Sequence, residues 1–273
     1  MLKKLFVHEW KDSWKLVTLF NVILVVFTII GIFALSNGNW IKAMDKNAWY
    51  ASVYVSYFML YYFAILALGL ATTIYFLMRF YKNLYTDQGY LMHTLPVTSH
   101  QLILSKAFVM YIWQLISGCV MLISILALAN SLVLGIEHTS IFKEIFELML
   151  ELDDLHITFL DVLCGLVVLL ILIGIQIFSI MFGYLAISLG QLSKNHKLIS
   201  SIGIYVGMQA ALQMLSSILQ LGFNLAAINM KFEDISEGLI LAILLLAAIV
   251  IFAADAGMYM GSNHIMKNKV NVE

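Results

Sequence analysis

Residues 159–190 read FLDVLCGLVVLLILIGIQIFSIMFGYLAISLG, with Asp161 as their one charge. An apolar run of about 18 residues or more crosses a hydrocarbon core of about 30 Å as a helix. Working outward, runs of the same kind occupy 17–36, 51–78, 107–134, 198–228 and 239–261. The chain of 273 residues is 62% hydrophobic and 11% charged, against about 25% charged in an average soluble domain. A soluble core of this size cannot hide so much apolar surface. The expectation is an all-α integral membrane protein, a single transmembrane domain over 1–273 with six transmembrane helices. The longer spans must tilt, kink or project beyond the bilayer.

Net charge is −1, so the overall charge carries no nucleic-acid signal. Cys119 and Cys164 fall inside apolar runs and read as small packed hydrophobes, not as a disulfide framework. The opening MLKKLFVHEW lacks the order of a cleaved signal peptide, so the mature chain is expected to begin at or near Met1.

Lys and Arg placement sets the expected orientation. Eleven of fifteen lie on one side: Lys3, Lys4, Lys11, Lys15, Arg79, Lys82, Lys106, Lys194, Lys197, Lys267 and Lys269. That side reads as cytoplasmic, with both termini inside, and eleven of the sixteen acids sort to the other side. Within 1–15, Leu2, Phe6, Trp10 and Trp14 recur on one helical face and Lys4, His8, Lys11 and Lys15 on the opposite one. An N-terminal interfacial amphipathic helix, lying along the headgroups and leading into span one, fits that pattern.

Between spans two and three stands RFYKNLYTDQGYLMHTLPVTSHQLILSK, residues 79–106. It holds mixed charge, the turn signal Asp87-Gln88-Gly89 and Pro96, the chain's one proline. Tyr90, Leu91, Met92, Leu95 and Val97 are apolar residues displayed just outside the membrane, the pattern of a docking surface.

The spans carry polar residues in order. Tyr50, Tyr54, Tyr57 and Tyr61 form a stripe on span two, continued by Thr72 and Tyr75. Tyr57 and Tyr61 lie too deep for an interfacial belt, so they line a cavity or hydrogen-bond between packed helices. On span five, Tyr205, Gln209, Gln213, Ser216, Gln220 and Asn224 share one arc of about 100°. Gly203, Gly207 and Ala211 make a small-residue face opposite. The arc reads as a pathway or subunit-interface wall, or as interhelical hydrogen bonding. Asp255 is an acid well inside span six: a functional candidate, or a group facing a vestibule or paired with an amide. Asn21, Gln114, Asn130 and Gln176 read as helix-packing contacts.

The outer segment 135–158 has an amphipathic stretch with Ile141, Ile145, Leu148, Leu152 and Leu155 on one face. It is expected to rest on the outer leaflet or cap the bundle. His138 and His156 fit no metal-ligand spacing. There is no G-x-x-x-x-G-K-[ST], H-E-x-x-H, G-x-S-x-G or C-x-x-C, and nothing resembles a nucleophile–base pair. Catalysis and nucleotide binding by this chain alone are not expected. The spans lack the internal repeats of secondary transporters.

Three parts resemble the small six-span permease subunits of type-2 ATP-binding-cassette exporters of Gram-positive bacteria. MLKKLFVHEWKDSWK is similar to the family's basic lead-in, residues 79–106 to its first cytoplasmic loop with a coupling helix, and MYMGSNHIMKNKVNVE to its basic tail. The resemblance implies a bacterial cell-membrane location, a second permease subunit, identical or homologous, and cytosolic ATPase subunits carrying ATP and Mg. Asp87, Gly89, Tyr90, Leu91, Thr94, Leu95 and Pro96 would then form the ATPase-coupling element. Gly89 permits the turn, Pro96 ends or redirects a helix, and the Leu and Tyr side chains seat in the ATPase. Tyr57, Tyr61, the span-five arc and Asp255 would belong to the pathway or interface. Only Asn229 to Gly238 separates spans five and six, too short for the re-entrant hairpin of larger relatives. An outer gate must then come from span ends or from 135–158. The implied function is ATP-driven export of a peptide, antimicrobial or lipid-like molecule. The competing reading is a membrane sensor or immunity scaffold coupled to the same ATPase without cargo transport.

Overall fold

The computed structural model describes residues 2–35, 48–86, 98–137, 140, 141, 143, 145, 147, 158–193, 196–229 and 236–268. Six long helices account for most of them: α1 (Leu2–Leu35), α2 (Ala48–Tyr85), α3 (Ser99–Glu137), α4 (Phe159–Gly190), α5 (Lys197–Asn229) and α6 (Glu237–Asn268). All six are long and apolar enough to cross a membrane, and no strand occurs among the described residues. This is the fold of a multi-pass membrane protein.

Except for α4, the helices are longer than the apolar runs read in the sequence. At about 1.5 Å per residue, α2 is about 57 Å long, well beyond a core of about 30 Å. The N-terminal lead-in is not a separate helix. It continues without a break through span one as α1, because no Gly or Pro interrupts residues 2–30. Its aromatic face is only partly free for lipid. Trp10 stacks on Trp113 of α3 with ring centroids 4.7 Å apart, while Trp14 is exposed. Glu9 and Ser13 turn inward instead.

The helices divide between two compact units. One comprises Lys4–Phe76 and Ile112–His156, and so holds most of α1, α2 and α3. Its core is Leu24, Leu35, Tyr61, Leu68 and Leu128, with Phe20, Phe27, Tyr57 and Phe58 packed around them. Hydroxyls complete it. Tyr57 Oη donates to the Phe27 carbonyl at 2.8 Å. Thr28 Oγ1 donates its proton to the Leu24 carbonyl, so Tyr61 Oη is the donor in the 3.3 Å contact with Thr28 Oγ1. A Cβ on Gly31 would strike the Tyr57 hydroxyl and lie 2.7 Å from Leu128 Cδ2, so a bare backbone is what lets α1 receive that tyrosine. At the α3 end, Asn130 Oδ1 accepts from Ser140 Oγ and from the Ile141 backbone N–H. Lys143 and Glu147 form an exposed i,i+4 ion pair at 3.7 Å. Ile145 is exposed, and the rest of 138–157 lies outside the described residues.

The other unit comprises Met1–Lys3, Leu77–Tyr111 and Ile157–Glu273. There α4 is the central element, packed along α6 and against α5. Thr158 starts α4 with a full capping box: the Asp161 N–H donates to its hydroxyl, and the Thr158 backbone N–H donates to the Asp161 carboxylate. Ile180, Met181, Phe182, Tyr184, Ala186 and Ile187 of α4 are buried. Cys119 is exposed and Cys164 half-buried, and both are free thiols.

Candidate coupling and pathway site

The 79–106 segment resolves into two helix ends and the residues between them. The last turns of α2 reach Tyr85, and α3 begins at Ser99. The early start of α3 has a local cause. Thr98 accepts from the Gln101 N–H with its carbonyl at 3.0 Å and with its hydroxyl at 3.4 Å, an N-cap placed ahead of an apolar run. Asp87, Gly89, Tyr90, Leu91, Thr94, Leu95 and Pro96 lie outside the described residues.

Both flanks of 87–97 are fastened to other helices of their unit. On the α2 side, Phe80 and Tyr184, each 1% exposed, stack with centroids 3.7 Å apart and planes at 9°. One turn further on, the hydroxyls of Tyr85 and Ser188 lie 2.9 Å apart. Ser188 donates its own proton to the Tyr184 carbonyl at 2.8 Å, so Tyr85 must be the donor. Leu84 between them is fully buried. On the α3 side, Ser99 Oγ donates to Asn263 Oδ1 of α6 at 2.9 Å, and His100 Nδ1 hydrogen-bonds the hydroxyl of Tyr259. The first flank therefore grips α4 and the second grips α6.

From Ser188 the contacts run on to α5. A Cβ on Gly190 would lie 2.5 Å from Ser201 Cα and 2.6 Å from Ser201 N. Ser201 Oγ in turn donates to Lys197 O at 2.9 Å. The two helices touch backbone to backbone here, across a short connection in which His196 takes a left-handed φ of 55°. One turn along, Phe182 meets Tyr205 edge-on at 5.4 Å.

Beyond Tyr205, α5 parts from its unit. Gln209, Gln213, Ser216, Gln220 and Asn224 are all exposed, and so are Met214, Ile218 and Leu221 on other faces. The expected small-residue seam meets nothing: no atom lies within 4 Å of a Cβ built on Gly203 or Gly207. Thus the arc is on the outside of the described structure and not in a bundle interior. Tyr57 and Tyr61 are placed in the other unit's core, where packing supplies partners for their hydroxyls.

Asp255 stands apart. It is 6% exposed, and neither carboxylate oxygen has a hydrogen-bond partner among the described residues. No amide hydrogen-bonds it among the described residues. Asn21 does make a packing contact, donating to the Val17 carbonyl at 2.9 Å and to Ser117 Oγ at 3.0 Å. Sequence reasoning missed the residues that fasten the flanks, Phe80, Tyr85, Tyr184, Ser188, Ser99 and Asn263. The aromatic spacing of Phe80 and Tyr184 carries no pairing signal across a hundred residues. No group of three metal-ligating side chains occurs among the described residues. Compared with known proteins, the chain matches no family model, no curated protein and no solved structure.

Proposed function

We propose that the chain is the membrane permease subunit of an ATP-driven exporter in a bacterial cell membrane. It forms a substrate pathway with a second permease and takes its energy from cytosolic ATPase subunits that hold ATP and Mg. The row of amides on the exposed face of α5 carries this reading. Gln209, Gln213, Gln220 and Asn224 each bring donors and acceptors that hydrocarbon cannot satisfy. On a helix long and apolar enough to cross a membrane, such a face calls for a polar partner, either another subunit or an aqueous path.

The fastened flanks of 87–97 support the coupling half of the reading. A load on Leu91 or Leu95 from an ATPase would reach α4 through Tyr85 and Ser188, and α6 through Ser99 and Asn263. The contact of Gly190 with Ser201 would carry it on to the root of α5. The chain's own residues supply no hydrolytic chemistry in this scheme. They transmit movement and line a path for a peptide, antimicrobial or lipid-like cargo.

The test is co-purification with a co-expressed cytosolic ATP-binding-cassette ATPase, followed by transport into inside-out vesicles. Leu91→Asp and Leu95→Asp are expected to abolish ATPase association while leaving helix content unchanged. Retained association in both variants would refute the docking role. Hydrolysis by the wild-type complex without accumulation of any peptide or lipid cargo would favour the sensor reading.

A further inference from the structure

Where α6 packs along α4, one acid sits among apolar side chains. Ala248, Asp255 and Ser262 recur every seven residues on one face of α6, and all three are buried. That face meets α4. Ile251 and Phe252 stand one turn before Asp255, to either side of its direction, and both approach Gly174. A Cβ there would lie 2.9 Å from Ile251 Cγ2 and 3.5 Å from Phe252 Cζ. Past Asp255, a Cβ on Gly261 would lie 3.1 Å from Leu185 Cδ1 of α4. Asp255 is therefore in the packed seam, and not at an end of it. It lies about 20 Å of helical rise from Asn268 and about 27 Å from Glu237.

Nothing described answers its carboxylate. Both oxygens are buried, and neither has a hydrogen-bond partner among the described residues. Ser262, on the same face, spends its proton on the Met258 carbonyl at 2.9 Å. On α4, Asp161 stands at the exposed cap and Tyr184 is stacked on Phe80. On α6, Tyr259 bonds His100 of α3, His264 bonds Asn268, and Lys267 is exposed in the last turn. Lys106 of α3 is buried but makes no hydrogen bond to Asp255. An ionised carboxylate taken out of water without a partner is among the costliest groups a fold can bury. A metal cation would not relieve it, because a hard cation needs several oxygen ligands and the side chains of Ala248, Ile251 and Met258 offer none. A proton needs neither space nor further ligands.

We propose that Asp255 is a proton-binding site, a neutral carboxylic acid while α6 is packed on α4. When α6 draws away and water reaches the seam, the O–H bond breaks, the electron pair stays on the carboxylate and the proton passes to water. The α4–α6 seam is thus a pH-sensitive catch, closed by acid and loosened by alkali. The assignment does not rest on the exporter reading and holds for a transporter or a sensor alike.

The test is chemical denaturation of the full chain in detergent as a function of pH, wild type against Asp255→Asn. The asparagine keeps the shape of the acid and removes its ionisation. An unfolded Asp ionises near pH 3.9, so from about pH 4 upward the packed state holds one proton more than the unfolded one. The ratio of the wild-type folding constant to that of the variant should then fall about tenfold per pH unit, one proton's worth. It levels off where the carboxyl ionises in place. A ratio that stays constant with pH would overturn the proposal. So would a wild-type stability that follows the Na⁺ concentration and not the pH. Infrared spectra of the wild type decide the matter should Asp255→Asn fail to fold. At about pH 5.5, where exposed Asp side chains are ionised, a carboxylic-acid band that moves on ¹³C labelling of aspartate is expected, and its absence would overturn the proposal as well.

Discussion

The ring of Phe80 lies on the ring of Tyr184, centroids 3.7 Å apart and planes nearly parallel, where α2 meets the buried stretch of α4. Both side chains are within 1% of full burial, so each is a keystone for how the α2 end is held. Truncating Phe80→Ala should cost about 3 kcal/mol, the range seen for large-to-small core changes. A fall in the thermal midpoint of the detergent-solubilised protein measures this. A shift no larger than that of a surface control, such as Phe63→Ala, would refute it.

The hydroxyl pair one turn beyond makes a sharper prediction, because its polarity is known. Tyr85 donates and Ser188 accepts. Tyr85→Phe removes the donor and should cost about 1 kcal/mol. Ser188→Ala should cost more, about 2 kcal/mol, because it strands the Tyr85 hydroxyl as well. Denaturation of the two single variants and the double variant gives the comparison. The double variant should be no worse than Ser188→Ala.

Gly190 allows α4 and α5 to touch at Ser201. Gly190→Ala puts a methyl within 2.6 Å of backbone atoms that belong to a helix and cannot swing aside. Overpacking of this kind costs about 1–3 kcal/mol. Under the proposed exporter reading, the same variant should uncouple ATP hydrolysis from cargo movement, which vesicle transport normalised to ATPase rate would read.

Gly31 and Tyr57 should be coupled. Gly31→Ala drives a methyl into the tyrosine hydroxyl and breaks its bond to Phe27. In a Tyr57→Phe background that hydroxyl is absent, so the added cost should shrink by at least about 0.5 kcal/mol. A double-mutant cycle by thermal denaturation checks it, and strict additivity would exclude the contact.

On α5, Gln213→Leu with Gln220→Leu should leave the isolated chain as stable as the wild type or more so, since both amides are exposed. Under the proposed exporter reading, the same pair should lower cargo-stimulated hydrolysis about fivefold, the effect of losing one or two interhelical bonds of about 0.6 kcal/mol each. Unchanged stimulation would remove α5 from the pathway.

Helix number and approximate extent were legible from hydropathy alone, because burial of a backbone in hydrocarbon demands local hydrogen bonding and a minimum length, and both are properties of a contiguous run. The 159–190 run matches α4 end to end. The short connection after α4 and the polar arc of α5 were also visible in the order of residues. Periodicity shows which residues share a face, but not what that face meets. Tyr57 and Tyr61 share a stripe with Tyr50, yet their partners Phe27 and Thr28 come from another helix. The arc of α5 reads as a pathway or interface wall, and the structure places it on an exposed face without showing what meets it. The continuity of α1 was hidden by its amphipathic start, since a change in side-chain polarity does not bend a backbone that lacks Gly or Pro. Only tertiary structure could join Phe80 to Tyr184, or Asn21 to Ser117. Such pairings depend on geometry between segments distant in the chain, and no local pattern encodes which helices will meet.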